Sequence, residues 1–267
     1  MALQEAVMQI ALTSPTELAK SMVESVQDYT FFVGRAIVNV VRQPRYLADT
    51  IQQADSIGCG ALPIVVLTGL SMGAELGLNS ANTLQRFGAL ALIGELVSEG
   101  MIRELGPIIT GLMVAGRSAS GMASELGSMV VTEQIDAMRA LGVDPMKKLV
   151  TPRVVATVFM IFFLTIISDL FGLFGGALIS TLLFRMDWHE YWSQATQILD
   201  FGDVFMGLVK PLLFGFIIST VGCYYGLTVR GGTQGVGRAT TQAVVASSVL
   251  ILTTDLFVTK FLMAVLW

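Results

Sequence analysis

Histidine is nearly absent from this chain. His189 is the only one among 267 residues, and there are only two cysteines, Cys59 and Cys223. Without a CxxC pair or a second histidine, no metal centre is expected. The cysteines lie far apart in apolar runs and read as small buried hydrophobes rather than a disulfide. Charge is scarce too: 13% of residues are Asp, Glu, Lys or Arg, where a soluble domain has about a quarter. The net charge of −4 gives nucleic acid no reason to bind. No Gly-Lys-Ser/Thr sequence occurs, so Arg230-Gly-Gly-Thr-Gln-Gly-Val-Gly-Arg238 is not a phosphate loop and reads as a flexible turn. The chain is therefore expected to have no catalytic residues and not to hydrolyse ATP itself. No cation precedes Lys20 and no apolar core stretch accompanies it, so a cleaved signal peptide is not expected.

Apolar residues fill the space that charge leaves. They make up 54% of the chain, and the mean hydropathy is +0.71. The pattern predicts an all-α integral membrane protein: an N-terminal interfacial amphipathic helix within residues 1–50, and a five-span domain over 51–267. Spans are expected at 56–74, around the uncharged run 105–116, between Arg153 and Arg185, at 211–229 and at about 241–263. Ser14 to Glu17 has the form of a helix start. Leu18, Met22, Val26, Tyr29, Val33, Ile37 and Val40 then share one face until Pro44. The charged opposite face favours a helix lying on the membrane surface over a soluble helix packed on a neighbour. With the N-terminus inside, Lys20, Arg35, Arg42, Arg45, Arg139, Lys147, Lys148, Arg153, Arg230 and Arg238 are cytoplasmic, and only Arg86 and Arg185 lie in outer loops. The C-terminus is then outside.

Gly69, Gly73 and Gly77 recur every fourth residue, as do Gly111, Ala115, Ala119 and Ala123. Such strips permit close helix contact, either within the chain or between subunits. Arg103, Glu104, Asp169, Lys210 and Asp255 fall within or at the edge of spans, where each costs about 2.5–3.5 kcal/mol. They survive there by pairing or by facing a wet cavity. Lys210 with Glu104 and Asp255 with Arg103 are the expected pairs, although Lys210 also reads as a lysine snorkelling from a span end. The cluster either fixes the bundle or lines a polar substrate cavity.

Residues 132–141 read as a short helix between spans two and three. Thr132 caps it, Glu133 and Asp136 favour its N-terminal end, and Gly142 and Pro145 stop it. Ile135, Met138 and Leu141 form an apolar edge. That edge rests on this chain's own bundle or fits a groove in another protein.

The ordered motifs Glu104-Leu-Gly-Pro107, Ala115-Gly-Arg117, Glu125-Leu-Gly127, Thr132-Glu-Gln-Ile-Asp-Ala137, Gly142-Val-Asp-Pro145 and Pro152-Arg153 resemble the MlaE/YrbE permease family. So does the stretch from Gly235 to Asp255. The resemblance implies the membrane subunit of an ABC lipid transporter. It implies a homodimer of five-span permeases in the bacterial inner membrane, with the N-terminus cytoplasmic and the C-terminus periplasmic. The implied partners are an ABC ATPase carrying ATP and Mg, a periplasmic MCE-domain protein, in some members a STAS-domain protein, and phospholipid. Thr132, Glu133, Gln134, Ile135, Asp136, Met138, Arg139 and Leu141 match its coupling helix. Arg103 and Glu104 match charged residues beside its lipid pocket. Lys210 and Asp255 match charged positions on later spans. Two rivals are an ion-coupled secondary transporter using Glu104, Asp169 and Asp255, and a scaffold that only anchors a partner complex. The absence of an internal repeat counts against the first.

Overall fold

The computed structural model describes residues 15–41 and 46–266. Ser14, Arg42, Pro44 and Arg45 lie outside the described residues, as do the side chains of Leu18 and Met22. Every regular element among the described residues is helical. Helix α1 (Pro15–Val41) precedes the long α2 (Leu47–Arg86). After a 3-10 turn at Leu90–Leu92, one helical run fills residues 93–131. It comprises α3 (Ile93–Gly100), a π-helical turn (Met101–Leu105), α4 (Gly106–Val114), a second π turn (Ala115–Ala119) and α5 (Ser120–Val131). Then come α6 (Gln134–Ala140), a third π turn (Met146–Val150) leading into α7 (Thr151–Phe184), α8 (Trp188–Gln197), α9 (Phe201–Leu227) and α10 (Gly232–Leu266).

Four of these stretches are long and apolar enough to cross a bilayer: Leu47–Arg86, Met146–Phe184, Phe201–Leu227 and Gly232–Leu266. The chain is thus an integral membrane protein. The helices overrun the expected spans because a helix satisfies its own backbone bonds wherever the hydrocarbon ends. Helix α9 starts ten residues before Pro211, which lies inside it rather than at its start. The first turn of α9 is secured by a capping box between Asp200 and Asp203. The expected flexible turn at 230–238 is also corrected. Helix α10 already begins at Gly232, and Gly231 and Gly232 take φ of +90° and +65° to make the corner.

The glycine strip of α2 faces its own chain. A Cβ on Gly73 would run into the backbone of Gly172, and one on Gly77 would lie 3.1 Å from the Cα of Gly176, both on α7. Helices α2 and α7 therefore meet backbone to backbone. The second strip does the same work against α9 and α10. Gly111 packs on Phe214 and Ile251, and Ala119 and Ala123 abut Gly222 and Gly226. Cys223 is buried, but Cys59 is exposed on α2, contrary to the expectation of two buried thiols.

Helix α8 folds back on the bundle through Tyr191. Its hydroxyl donates to the Leu173 carbonyl at 3.0 Å, and burial pushes its phenol above the ordinary value. Helix α1 rests on α9, where the hydroxyls of Tyr29 and Thr220 lie 2.9 Å apart and Tyr29 and Phe32 meet the ring of Tyr224 edge-on. Its residues Val23, Val26, Phe31 and Ile37 stay exposed, an apolar face suited to a membrane surface.

Candidate functional site

The site begins with a proline. Pro107 has no N–H, so the carbonyl four residues earlier, that of Arg103, has no helical donor. The chain adopts a π turn there, and π turns recur at functional sites. The same relation holds between Pro152 and the π turn at Met146–Val150. In the first case the orphaned carbonyl is taken by a side chain: Lys210 Nζ donates to it at 2.8 Å.

Lys210 is 0% exposed. A snorkelling lysine keeps its head in water, so that expectation is overturned. Its ammonium sits 2.8 Å from Glu104 Oε2 and 3.2 Å from Asp255 Oδ1. The Asp255 contact is an ion pair without hydrogen-bond alignment, since that oxygen has no hydrogen bond of its own. The three acceptors match the three donors of an ammonium, with the Arg103 carbonyl in hydrogen-bond geometry and the two carboxylates as ion pairs. Helix α9 gets close enough because Gly207, one turn before Lys210, lets the Ile102 carbonyl rest where a Cβ would stand. Thr259 of α10 donates to the other oxygen of Glu104 at 3.3 Å.

Arg103 turns away from this group. It pairs with Asp203 at the first turn of α9 and with Glu99 one helical turn back, not with Asp255. Successive residues on a helix point about 100° apart, so Arg103 and Glu104 serve opposite sides of the π turn. Asp169 of α7 flanks the turn on a third side, against Gly106, where a Cβ would strike its Oδ1. That oxygen is buried and has no hydrogen-bond partner among the described residues. Glu104 keeps 34% of its side chain exposed, so the cluster reaches the surface through it. The Glu99 partner was visible in the sequence as i,i+4 spacing. The Asp203 partner was not, because no local pattern relates distant helices.

Farther along the same run, Glu125 Oε1 lies 2.8 Å from Arg153 Nη2, and Arg153 Nη1 donates to the Leu149 carbonyl at 2.8 Å. This pair ties α5 to the start of α7. It went unread in the sequence as a pair, although both residues stand in noted motifs.

The short helix differs from its expected form. It starts at Gln134, and its N-cap is Glu133, a non-glycine residue at φ 60°. Thr132 instead returns its hydroxyl to the Ser128 carbonyl at 2.9 Å. Gly142 takes φ +75° at the C-terminal end. The apolar edge splits: Ile135 is buried at 3% exposure within its own chain, Met138 is half-buried, and Leu141 is 81% exposed. Arg139 pairs with Asp136 at 2.9 Å on the open face.

Restoring an N–H at position 107 checks the π-turn argument. Pro107→Ala gives the Arg103 carbonyl a helical donor and withdraws one acceptor from Lys210. The net loss is expected to be about 1 kcal/mol of stability. Lys210→Arg should tolerate it worse, since a planar fork has no compact three-point cradle. Denaturant midpoints of the single and double variants in detergent check this.

Comparison with known proteins gives a consistent picture. The family model described as Permease MlaE matches residues 50–261. A Rickettsia felis protein named as a probable ABC transporter permease is 41% identical over 239 residues, covering 89% of this chain and 92% of that one. The Arabidopsis thaliana chloroplastic protein TRIGALACTOSYLDIACYLGLYCEROL 1 is 34% identical over 228 residues, 85% of this chain and 65% of its own length. The Haemophilus influenzae intermembrane phospholipid transport system permease protein MlaE is 29% identical over 233 residues, 87% of this chain and 89% of its own. With the family model spanning most of the chain and relatives above 40% identity along nearly its whole length, this protein belongs to the MlaE permease family.

Proposed function

We propose that the chain is the membrane-spanning permease subunit of an ABC transporter moving phospholipid, or a related lipid, between the bacterial inner membrane and a periplasmic MCE-domain protein, for outer-membrane lipid homeostasis. The observation that carries this reading is the buried Lys210 ammonium, cradled by Asp255 of α10 and by Arg103 and Glu104, which stand on the helical run that leads into α6. The names of the bacterial relatives, one a probable ABC transporter permease and one an intermembrane phospholipid transport system permease, support it.

In this reading the run 93–131 is the second of five spans. Helix α1 lies at the membrane surface, and the helices from α2 onward form one permease domain with its N-terminal side cytoplasmic and its C-terminal side periplasmic. Two copies enclose the lipid pocket, with Arg103, Glu104, Asp169, Lys210 and Asp255 beside it. Acyl chains supply most of the binding, at about 0.8 kcal/mol for each buried CH₂. The charged groups set the headgroup position or the pocket opening. ATP and Mg are bound by a partner ATPase, and this chain carries no cofactor. A STAS-domain protein completes the assembly in those members that have one. Helix α6 is the coupling helix, with exposed Gln134, Asp136, Arg139 and Leu141 offered to the ATPase and Ile135 anchoring it to α5.

Reconstitution in proteoliposomes with the partner ATPase tests the function. Lipid transfer to the MCE protein should require ATP; transfer driven by an ion gradient without ATP would instead establish the secondary transporter. The exposed Leu141 gives the cleaner test of coupling. Leu141→Asp should release the ATPase during co-purification and leave the permease folded, as judged by its elution and thermal midpoint. A complex that survives this change contradicts the docking claim.

A further inference from the structure

Arg117 differs from three other cations of the helix bundle. Arg103, Arg153 and Lys210 each have carboxylate partners. Arg117 is exposed in the second π turn, and among the described residues nothing pairs with its guanidinium. Its position is nevertheless built. The guanidinium lies on Gly60 of α2, where an added Cβ would come within 2.9 Å of its Cζ and Nε. Gly60 is four residues inside the uncharged stretch 56–74, so the group emerges at the edge of the hydrocarbon rather than in a loop. The outward face of the helix around it carries Gly116, Ser120, Gly121, Ser124 and Ser128, and nothing lies within 4 Å of a Cβ at Gly116 or Gly121. That face is polar, small and open, poorly suited to bare acyl chains.

At the edge of the hydrocarbon a guanidinium stands at the depth of the lipid phosphates. A guanidinium offers a planar fork of donors that fits two phosphate oxygens at once. We propose that Arg117, seated in the notch left by Gly60, binds the phosphate group of a membrane phospholipid. Only the source of the phosphate rests on the phospholipid reading above; the recognised chemistry is a phosphate anion.

The test uses the full-length permease in nanodiscs of phosphatidylethanolamine and phosphatidylglycerol, and in nanodiscs of a glycosyl diacylglycerol without phosphate. Lipid retained after detergent release is counted by native mass spectrometry. Wild-type protein should keep phospholipid and lose the glycolipid. Arg117→Gln should keep at least about tenfold less phospholipid, the worth of one charge-assisted contact. Arg117→Lys and Gly60→Ala should fall between, the second with its charge intact and its guanidinium displaced. Millimolar inorganic phosphate should leave the lipid bound; displacement by it identifies a soluble anion and overturns the lipid assignment. Equal retention in wild type and Arg117→Gln, or equal retention of the two lipid classes, overturns the site itself. So does an Arg117→Gln protein that loses a second copy while its lipid count holds, since Arg117 is then an inter-copy contact. Leu141→Asp should keep the Arg117-dependent retention, so a failure of ATP coupling and a failure of this site are separately visible.

Discussion

Lys210→Met is expected to abolish lipid movement and to cost the permease about 3–5 kcal/mol of stability, the loss typical when one partner of a buried ion pair is removed. Methionine nearly fills the volume, so packing is not the cause. The cause is that Glu104 Oε2, Asp255 and the Arg103 carbonyl lose the ammonium that all three face. Removing the acids as well separates fold from function. The triple variant Lys210→Met, Glu104→Gln, Asp255→Asn should recover most of the stability, because neutral groups are cheaper to bury, and still move no lipid. Denaturant titration in detergent and lipid transfer in proteoliposomes measure the two effects. A triple variant that transports would reduce the cluster to a structural fastening.

Gly73→Val should be about as damaging, at about 3 kcal/mol or above, and it should act on assembly of the bundle rather than on chemistry. The Cβ direction at Gly73 is occupied by the backbone of Gly172, which cannot rotate aside as a side chain does. Helices α2 and α7 would have to part along the seam, moving Asp169 away from the π turn. The expected result is loss of folded protein from membranes. Gly34→Val, on a face of α1 with nothing within 4 Å, should leave yield unchanged. Equal yields of both variants would show that the seam is loose.

Much of the fold is legible in the sequence because a bilayer imposes a strong rule: long uncharged runs become helices. The strip Gly69, Gly73, Gly77 announced a close contact but not its partner, since spacing says nothing about which helix lies opposite. Gly172 and Gly176 carry the same four-residue spacing and were the available clue. The misplaced features are those where one residue type has two local uses. Asp200 and Asp203 have the look of acids in a polar connection, yet they cap α9, and Asp203 also holds Arg103. Thr132 was read as a cap, yet a threonine at the end of a helix also returns its hydroxyl to the preceding turn. Ile135 and Leu141 shared an apolar edge in the pattern, and only the fold shows that one is buried and the other is free. The π turn at Met101–Leu105 had its signal in Pro107, whose missing N–H falls four residues after Arg103.

The central claim is that α6 and the charged cluster move as one piece when a separate ATPase binds nucleotide. Pulsed electron–electron resonance tests it with a single nitroxide at Leu96→Cys, two turns before Arg103, in a Cys59→Ser background that removes the exposed thiol. In the assembled transporter, the distance between labels on two copies should change when a non-hydrolysable ATP analogue is added, and Leu141→Asp should cancel the change. A distance distribution indifferent to nucleotide, in a complex that still carries lipid, would contradict the account.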